Sequence, residues 1–450
     1  MTENPLGYEK IPKLLKNFAI PSITATLISS LYNIVDQIFI GQGVGYLGNA
    51  ATNVSYPFST ICLAISLLIG IGSASRVSLY LGNNEPASAA QAAGTVISLM
   101  VVCGLVYLAA GECLLTCLLK LFGATKKVLP YAQQYAGVTL VGMPFLIVTN
   151  GMSNLIRADG NPKYSMLCMV TGAAANTILD PIFIFVFHWG IFGAALATVL
   201  GQILSFFFAI RYLWHFQTIH FEKSNFRLKL SECLKTCNMG VSSSVNQVAI
   251  TFVQIILHNS LTYYGAKTVY GTDIPLAACG IVMKTNAIVL AAIVGISQGV
   301  QPIIGFNYGA RQYSRVREAY LLAIKWNLAV SSVGFFLFQF FPHAIISLFG
   351  DGDQLYFKFA VLFMRIYLFM VLVNGIQLLS SSFFTAIGKA MKGALLALTR
   401  QVFFLIPLLL LLPLRFGITG ILLAGPVADF AAFLLSVLLV GRELKRQKNL

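Results

Sequence analysis

A chain of 450 residues that is 57% hydrophobic and only 10% charged is excluded from the soluble globular class, where about a quarter of residues are charged. The mean hydropathy of +0.80 leaves most of the length to apolar spans. A net charge of +15 would point a soluble chain toward nucleic acid, but here the basic residues are distributed as a topology signal.

Apolar runs long enough to cross a bilayer, about 20 residues, recur twelve times. They lie near 16–41, 51–82, 92–119, 130–157, 164–187, 190–214, 237–263, 276–308, 319–348, 355–385, 391–414 and 417–441. Span 1 follows Lys10, Lys13 and Lys16 and carries Pro21, Asn33, Asp36 and Gln37. Those polar residues, with no small-residue cleavage site behind a compact apolar core, argue against a cleaved leader. Pro21 removes a backbone donor and predicts a kink in span 1. Arg76 falls near the end of span 2, close enough to snorkel, and Glu112 near the outer end of span 3 reads as interfacial.

Span 5 contains T-G-A-A-A-N-T-I-L-D-P, residues 171–181. Asn176 and Asp180 are four apart and share one helix face. The small residues before them let a neighbouring helix approach closely. A charged Asp at the bilayer centre costs about 2.5–3.5 kcal/mol on insertion scales, so it calls for a partner, a cavity or a cation. Asp36 is a second such residue. Pro181 cannot donate to the carbonyl of Thr177, which frees a backbone oxygen near Asp180.

The longest connection, between spans 6 and 7, is charged and amphipathic, with a linker expected at 222–236 between lobes 1–221 and 237–450. Span 7 carries Asn246, Gln247 and Gln254, span 8 Lys284, Gln298 and Gln301, and span 10 Arg365, Asn374 and Gln377. Arg400 and Asp429 fall in the last two spans; Asp429 is available to neutralise one of the buried cations. Asn33, Gln37, Asn246, Gln254, Gln298 and Gln377 are candidate cavity residues.

Landmarks recur at an offset of 227: Gly82 with Gly309, Phe122-Gly123 with Phe349-Gly350, Met143 with Met370, and Gly190 and Gly193 with Gly417 and Gly420. Six spans per half is an even number, so both halves keep one orientation, a parallel repeat about the membrane normal. The expected fold is an all-α integral membrane protein of twelve transmembrane helices in two pseudo-symmetric six-helix bundles, the N-lobe and C-lobe. Most of the basic residues flank the even-numbered connections and the termini, as at Arg157, Lys163, Lys223, Arg311 and Lys445. By the positive-inside rule both termini are cytoplasmic, in the plasma membrane.

The eight cysteines show no C-x2-C spacing and do not cluster with the five histidines, so no disulfide or metal framework is expected. No P-loop, nucleotide fingerprint or metalloprotease helix is present. No cofactor and no nucleic-acid partner are expected, and the chain is expected to act as a monomer among membrane lipids.

The pattern resembles the multidrug and toxic compound extrusion (MATE) family, over nearly the whole length and most closely its bacterial multidrug-exporter branch. Pro21 and Asp36 in span 1, Tyr135 in span 4, Asn176 and Asp180 in span 5 and Thr198 in span 6 carry the match. In prokaryotic relatives of the DinF-like kind the matching residues gather in the N-lobe. The resemblance therefore implies a cation site for H+ or Na+ there, and export of small amphiphilic, often cationic, compounds by antiport. Where another branch places acids in spans 7 and 10, this chain has only amides. Two carboxylates together in a low-dielectric pocket cannot both ionise cheaply, so a proton or monovalent cation is needed between them. A lipid-linked saccharide flippase shares the span plan but usually lines its cavity with cations. A membrane-embedded enzyme is the remote alternative. Its serines, Ser242–Ser244 and Ser380–Ser382, have no buried His partner, and membrane serines mostly back-bond to helix carbonyls.

Overall fold

A computed structural model describes residues 4–349 and 353–448. After a single helical turn, Pro5–Tyr8, long helices follow one another: α1 Ile11–Gly43, α2 Tyr46–Gly82, α3 Pro86–Leu121, α4 Leu129–Ala158, α5 Pro162–Pro181 and α6 Gly190–Arg211. The second half continues with α7 Leu230–Gly265, α8 Asp273–Gly309 and α9 Tyr313–Phe340. Next comes α10, built from Gln354–Tyr367 and Val371–Ala386 bent by 48°. The remaining helical stretch, from Ala390 to Lys448, is broken at Gly417 (φ 57°, ψ −140°). That break makes two spans, α11 (390–416) and α12 (418–448), and brings the total to twelve. At 1.5 Å per residue, the longest of them extend well beyond a hydrocarbon core of about 30 Å.

Local chemistry sets the helix starts. Pro86 and Pro162 occupy first-turn positions where no amide donor is needed. Asn161 and Asp353 cap α5 and α10 by accepting the Tyr164 and Tyr356 amides at 3.1 and 2.7 Å. Seven residues of the stretch expected as linker, 230–236, form the first turns of α7. The remainder of the linker is held on α3, where Ser98 Oγ donates to the Phe226 carbonyl at 2.7 Å and Lys229 Nζ to Gln91 Oε1 at 3.0 Å.

The two halves repeat. Gly190 and Gly417 stand 227 residues apart and both have left-handed backbone, φ 55° and 57°. Asn84 and Arg311, at the same offset, do so at 61° and 58°. Of the landmark pairs, Gly350 lies outside the described residues.

Helices α1–α6 pack as one bundle and α7–α12 as another. The end that carries both termini is called proximal and the other distal. The bundles meet where α1 crosses α8 and α2 crosses α7 and α8. At the proximal end backbones touch: a Cβ on Gly72 would lie 2.2 Å from the Thr236 carbonyl oxygen, and one on Gly82 would lie 2.1 Å from that of Phe306. Arg76 is buried, 4% exposed, and reaches across to α7, bonding the Glu232 carbonyl and Thr236 Oγ1 at 2.9 Å and the Glu232 carboxylate. It is therefore an inter-lobe tie, not the snorkelling residue its position near a span end predicted. Its counter-charge lies 156 positions away in sequence. Arg315 adds a second tie, donating to the carbonyls of Leu6 and Glu9 at 3.1 and 2.7 Å.

Beyond the Thr26 hydroxyl, which donates to the Ala291 carbonyl at 2.7 Å, the lobes part distally. A side chain at Gly280 would meet open space, and Asn33, Lys284 and Ala287 are exposed. A cleft thus opens between α1 and α2 on one side and α7 and α8 on the other.

Candidate functional site

Helices α5 and α6 come together through glycines. A Cβ on Gly172 would sit 2.8 Å from the Gly201 carbonyl oxygen, and one on Gly201 would sit 2.7 Å from that of Gly172. This closeness lets short side chains bridge the helices. The Asn176 amide donates to Asp180 Oδ1 and to Thr198 Oγ1, each at 3.2 Å. Asn176 is 3% exposed and Asp180 fully buried.

Helix α1 delivers the fourth group. The carboxyls of Asp36 and Asp180 lie within hydrogen-bonding reach of each other, with Tyr135 and Tyr32 close to both. Two ionised carboxylates have no proton to donate, so such a contact requires a shared proton or an intervening cation. Asp36 Oδ1, Asp180 Oδ2 and Asn176 Oδ1 are buried and find no donor among the described residues. These three unpartnered acceptors, with the Thr198 hydroxyl that Asn176 engages, supply oxygens suited to H+ or a small monovalent cation.

Directly after Asp180 and Pro181 the chain widens into a π-helical turn, Ile182–Val186, a distortion frequent at functional sites. It folds Ile184 onto Ile40 and Ala194 and sets Phe185 edge-on to Phe39 at 6.1 Å, closing the distal side of the acid pair. On the proximal side a cavity of about 70 Å³ is lined by Ser29, Tyr32, Thr149, Asn176, Thr198 and Gln202, among others. Its wall is mostly apolar, but the Ser29, Thr149, Asn176, Thr198 and Gln202 side chains in it offer partners to several waters beside the site. Tyr32, Ser29 and Gln202 were missed from sequence, although Ser29-Tyr32-Asp36 and Thr198-Gln202 follow helical spacing.

The other singled-out residues separate cleanly. Pro21 is buried inside the continuous helix α1. Asn33 is exposed and Gln37 and Gln254 are half-buried. Asn246 is half-buried midway along α7, and Gln298 half-buried in the proximal third of α8. Gln377, 2% exposed, donates to the Leu396 carbonyl at 2.7 Å and belongs to α10–α11 packing within the C-lobe. Asp429 pairs with Arg400, and Arg365 joins the Gln339 carbonyl at 3.1 Å. The serines carry structure: Ser242 and Ser381 bond each other at 3.0 Å, and Ser380 donates to the Ile376 carbonyl at 2.6 Å.

Comparison with known proteins agrees with this architecture. The MatE family model matches residues 21–182 and 243–411. The multidrug export protein MepA of Staphylococcus aureus is 26% identical over 442 residues, 96% of this chain and 94% of that protein. MepA of Staphylococcus haemolyticus is 24% identical over 433 residues, covering 95% and 93%. A solved structure described as the outward-facing conformation of a multidrug resistance MATE family transporter of the MOP superfamily superposes with a TM-score of 0.93 over 100% of this chain and 99% of that one, at 20% identity.

Proposed function

The chain belongs to the MatE family, and from that membership we propose that it is a secondary active multidrug exporter, coupling entry of H+ or Na+ to export of amphiphilic, often cationic, organic compounds. The observation that carries this reading is the contact between Asp36 and Asp180 with three unpartnered acceptor oxygens around it.

Asp36 and Asp180 hold the cation, Asn176 and Thr198 complete its oxygen shell, and Tyr135 and Tyr32 close the pocket around it. When the cation is bound the pair is neutralised. When it leaves, negative charge returns to a low-dielectric pocket next to the cleft and attracts a cationic substrate. The two occupants compete for one charge, and that competition is antiport without ATP. Aromatic and Met side chains supply adaptable apolar and cation–π contacts for such substrates. Pro21, which leaves a carbonyl unbonded in α1, gives that helix a place to bend as Asp36 changes charge.

The excess of Lys and Arg at the proximal end supports a reading in which both termini are cytoplasmic; in a plasma-membrane exporter so oriented, the cleft opens outward. The exporter acts as a monomer, with no nucleic-acid partner and no catalytic role.

Everted vesicles, given an imposed ΔpH or separately a Na+ gradient, test the reading by dye efflux. Ethidium should move under at least one gradient and lose that movement in Asp36→Asn. Flipping of a lipid-linked saccharide with no ethidium movement would hand the chain to the flippase reading.

A further inference from the structure

We propose that Lys284 is the anion-recognising group of the cleft, receiving the carboxylate of substrates that carry one beside an amine-bearing aromatic system. The proposal rests on the exporter reading and concerns which substrates that cleft selects.

Helical phase fixes where Lys284 points. Helix α8 touches α1 through Ala291, Gly295 and Gly299: the Thr26 hydroxyl bonds the Ala291 carbonyl, and Cβ atoms on Gly295 and Gly299 would lie 2.5 Å from Ile23 Cα and 2.7 Å from Ala19 Cα. Lys284 precedes Ala291 by seven residues, two turns, and leaves the helix on the same side about 10 Å further distal. The opposite side of α8 packs into its own lobe, Val289 against Gly334 and Ile293 against Gly375. Because Lys284 is exposed and faces the other lobe, its ammonium stands in the cleft and not in lipid. The antiparallel crossing sets Asn33 of α1 at its level.

Among the described residues the charge has no acidic partner. Asp36 and Asp180 engage each other, Asp429 takes Arg400, Glu443 takes Lys389 and Lys392, and Glu232 takes Arg76 and Lys235. Among the described residues Lys284 forms no ion pair. The cleft groups on its level are neutral polar ones: Asn33 and Gln37 from α1, and Gln254 and His258 from the side of α7 that continues from Gly240, where α7 crosses Leu68 of α2. An ionisable side chain that faces a cavity within a membrane span, and not a structural partner, marks a substrate or ion path. A carboxylate oxygen satisfies the ammonium through a charge-assisted hydrogen bond.

The cleft therefore has two poles, a carboxylate pair behind α1 and an ammonium on α8. A zwitterion engages both. A plain cation is drawn by the first and repelled by the second, so removing Lys284 should favour it.

A matched pair of probes separates these cases: tetramethylrhodamine, which carries a free carboxylate, and its methyl ester, which does not. Gradient-driven transport of both is measured with the full chain in proteoliposomes for wild type, Lys284→Gln and Lys284→Arg. Lys284→Gln should lower transport of the acid about tenfold, a single lost charge-assisted contact. It should leave ester transport equal or higher, and Lys284→Arg should restore the acid. Ester transport by Lys284→Gln also reports that the variant is folded. Equal loss of both dyes, or an unchanged acid-to-ester ratio, overturns the proposal, as does a wild type that moves the ester alone. A wild type that moves neither dye under either gradient sinks the exporter reading, and this inference with it.

Discussion

Asp180 meets Asp36 across the α1–α5 interface with one carboxyl oxygen of each left without a donor. Asp36→Asn and Asp180→Asn should each reduce gradient-driven ethidium efflux to background while the protein still inserts and purifies as a single species. The double variant should be no worse than either single, because both act on one site. Additive partial losses would show that the two carboxyls work separately.

Removing a shell oxygen should be milder. Asn176→Ala and Thr198→Ala each leave the acid pair in place but delete one ligand contact, of about 1 kcal/mol. Apparent affinity for the driving cation should fall several-fold with maximal rate largely kept. Titration of dye efflux against pH, or against Na+, reads this directly.

The second buried pair gives the contrast. Asp429→Asn leaves Arg400 in the C-lobe with its counter-charge gone, which destabilises by about 3–5 kcal/mol when such pairs are broken. Melting temperature in detergent should drop, yet efflux by the surviving folded fraction should still follow the cation gradient. Loss of coupling without loss of stability would give the C-lobe pair a role in ion transfer.

Gly240 admits no side chain, since its Cβ would fall 1.7 Å from the Leu68 carbonyl oxygen. Gly240→Val should hold the proximal ends apart. A spin-label pair placed across α2 and α7 should report a longer distance than wild type, and transport should fall. Unchanged distance and rate would show that the crossing relaxes around the extra carbons.

Much of this architecture was legible because a bilayer imposes a simple rule on sequence: twelve long apolar runs became twelve spans, with ends displaced by up to eight residues, as at Phe340 where 348 was expected. The site followed from two aspartates where charge is costly. What escaped had little local signal. The break in α10 falls at Leu368-Phe369-Met370, three ordinary apolar residues with no Pro or Gly. The π-helical turns at Ile182–Val186 and Thr399–Leu405 each adjoin a proline, Pro181 and Pro407, whose missing amide marks a break in the helix ladder but not the form that the break takes. Arg76 was misjudged because proximity to a span end says nothing of a partner arriving from the other lobe. Gln377 looked like a cavity amide because composition cannot tell which side of α10 is inward.

The proximal seam has a mechanical consequence. Its closest approaches are backbone to backbone, at Gly72, Gly82, Gly240 and Gly309, where no long side chain can stretch to follow a receding neighbour. Dispersion contacts of this kind forfeit a quarter to a half of their strength with a gap of about 0.5–1 Å. The seam therefore behaves like a latch with no intermediate notch. A half-parted barrier, through which ions could slip unaccompanied and waste the gradient, loses much of this backbone dispersion and keeps chiefly the reach of Arg76 to Glu232.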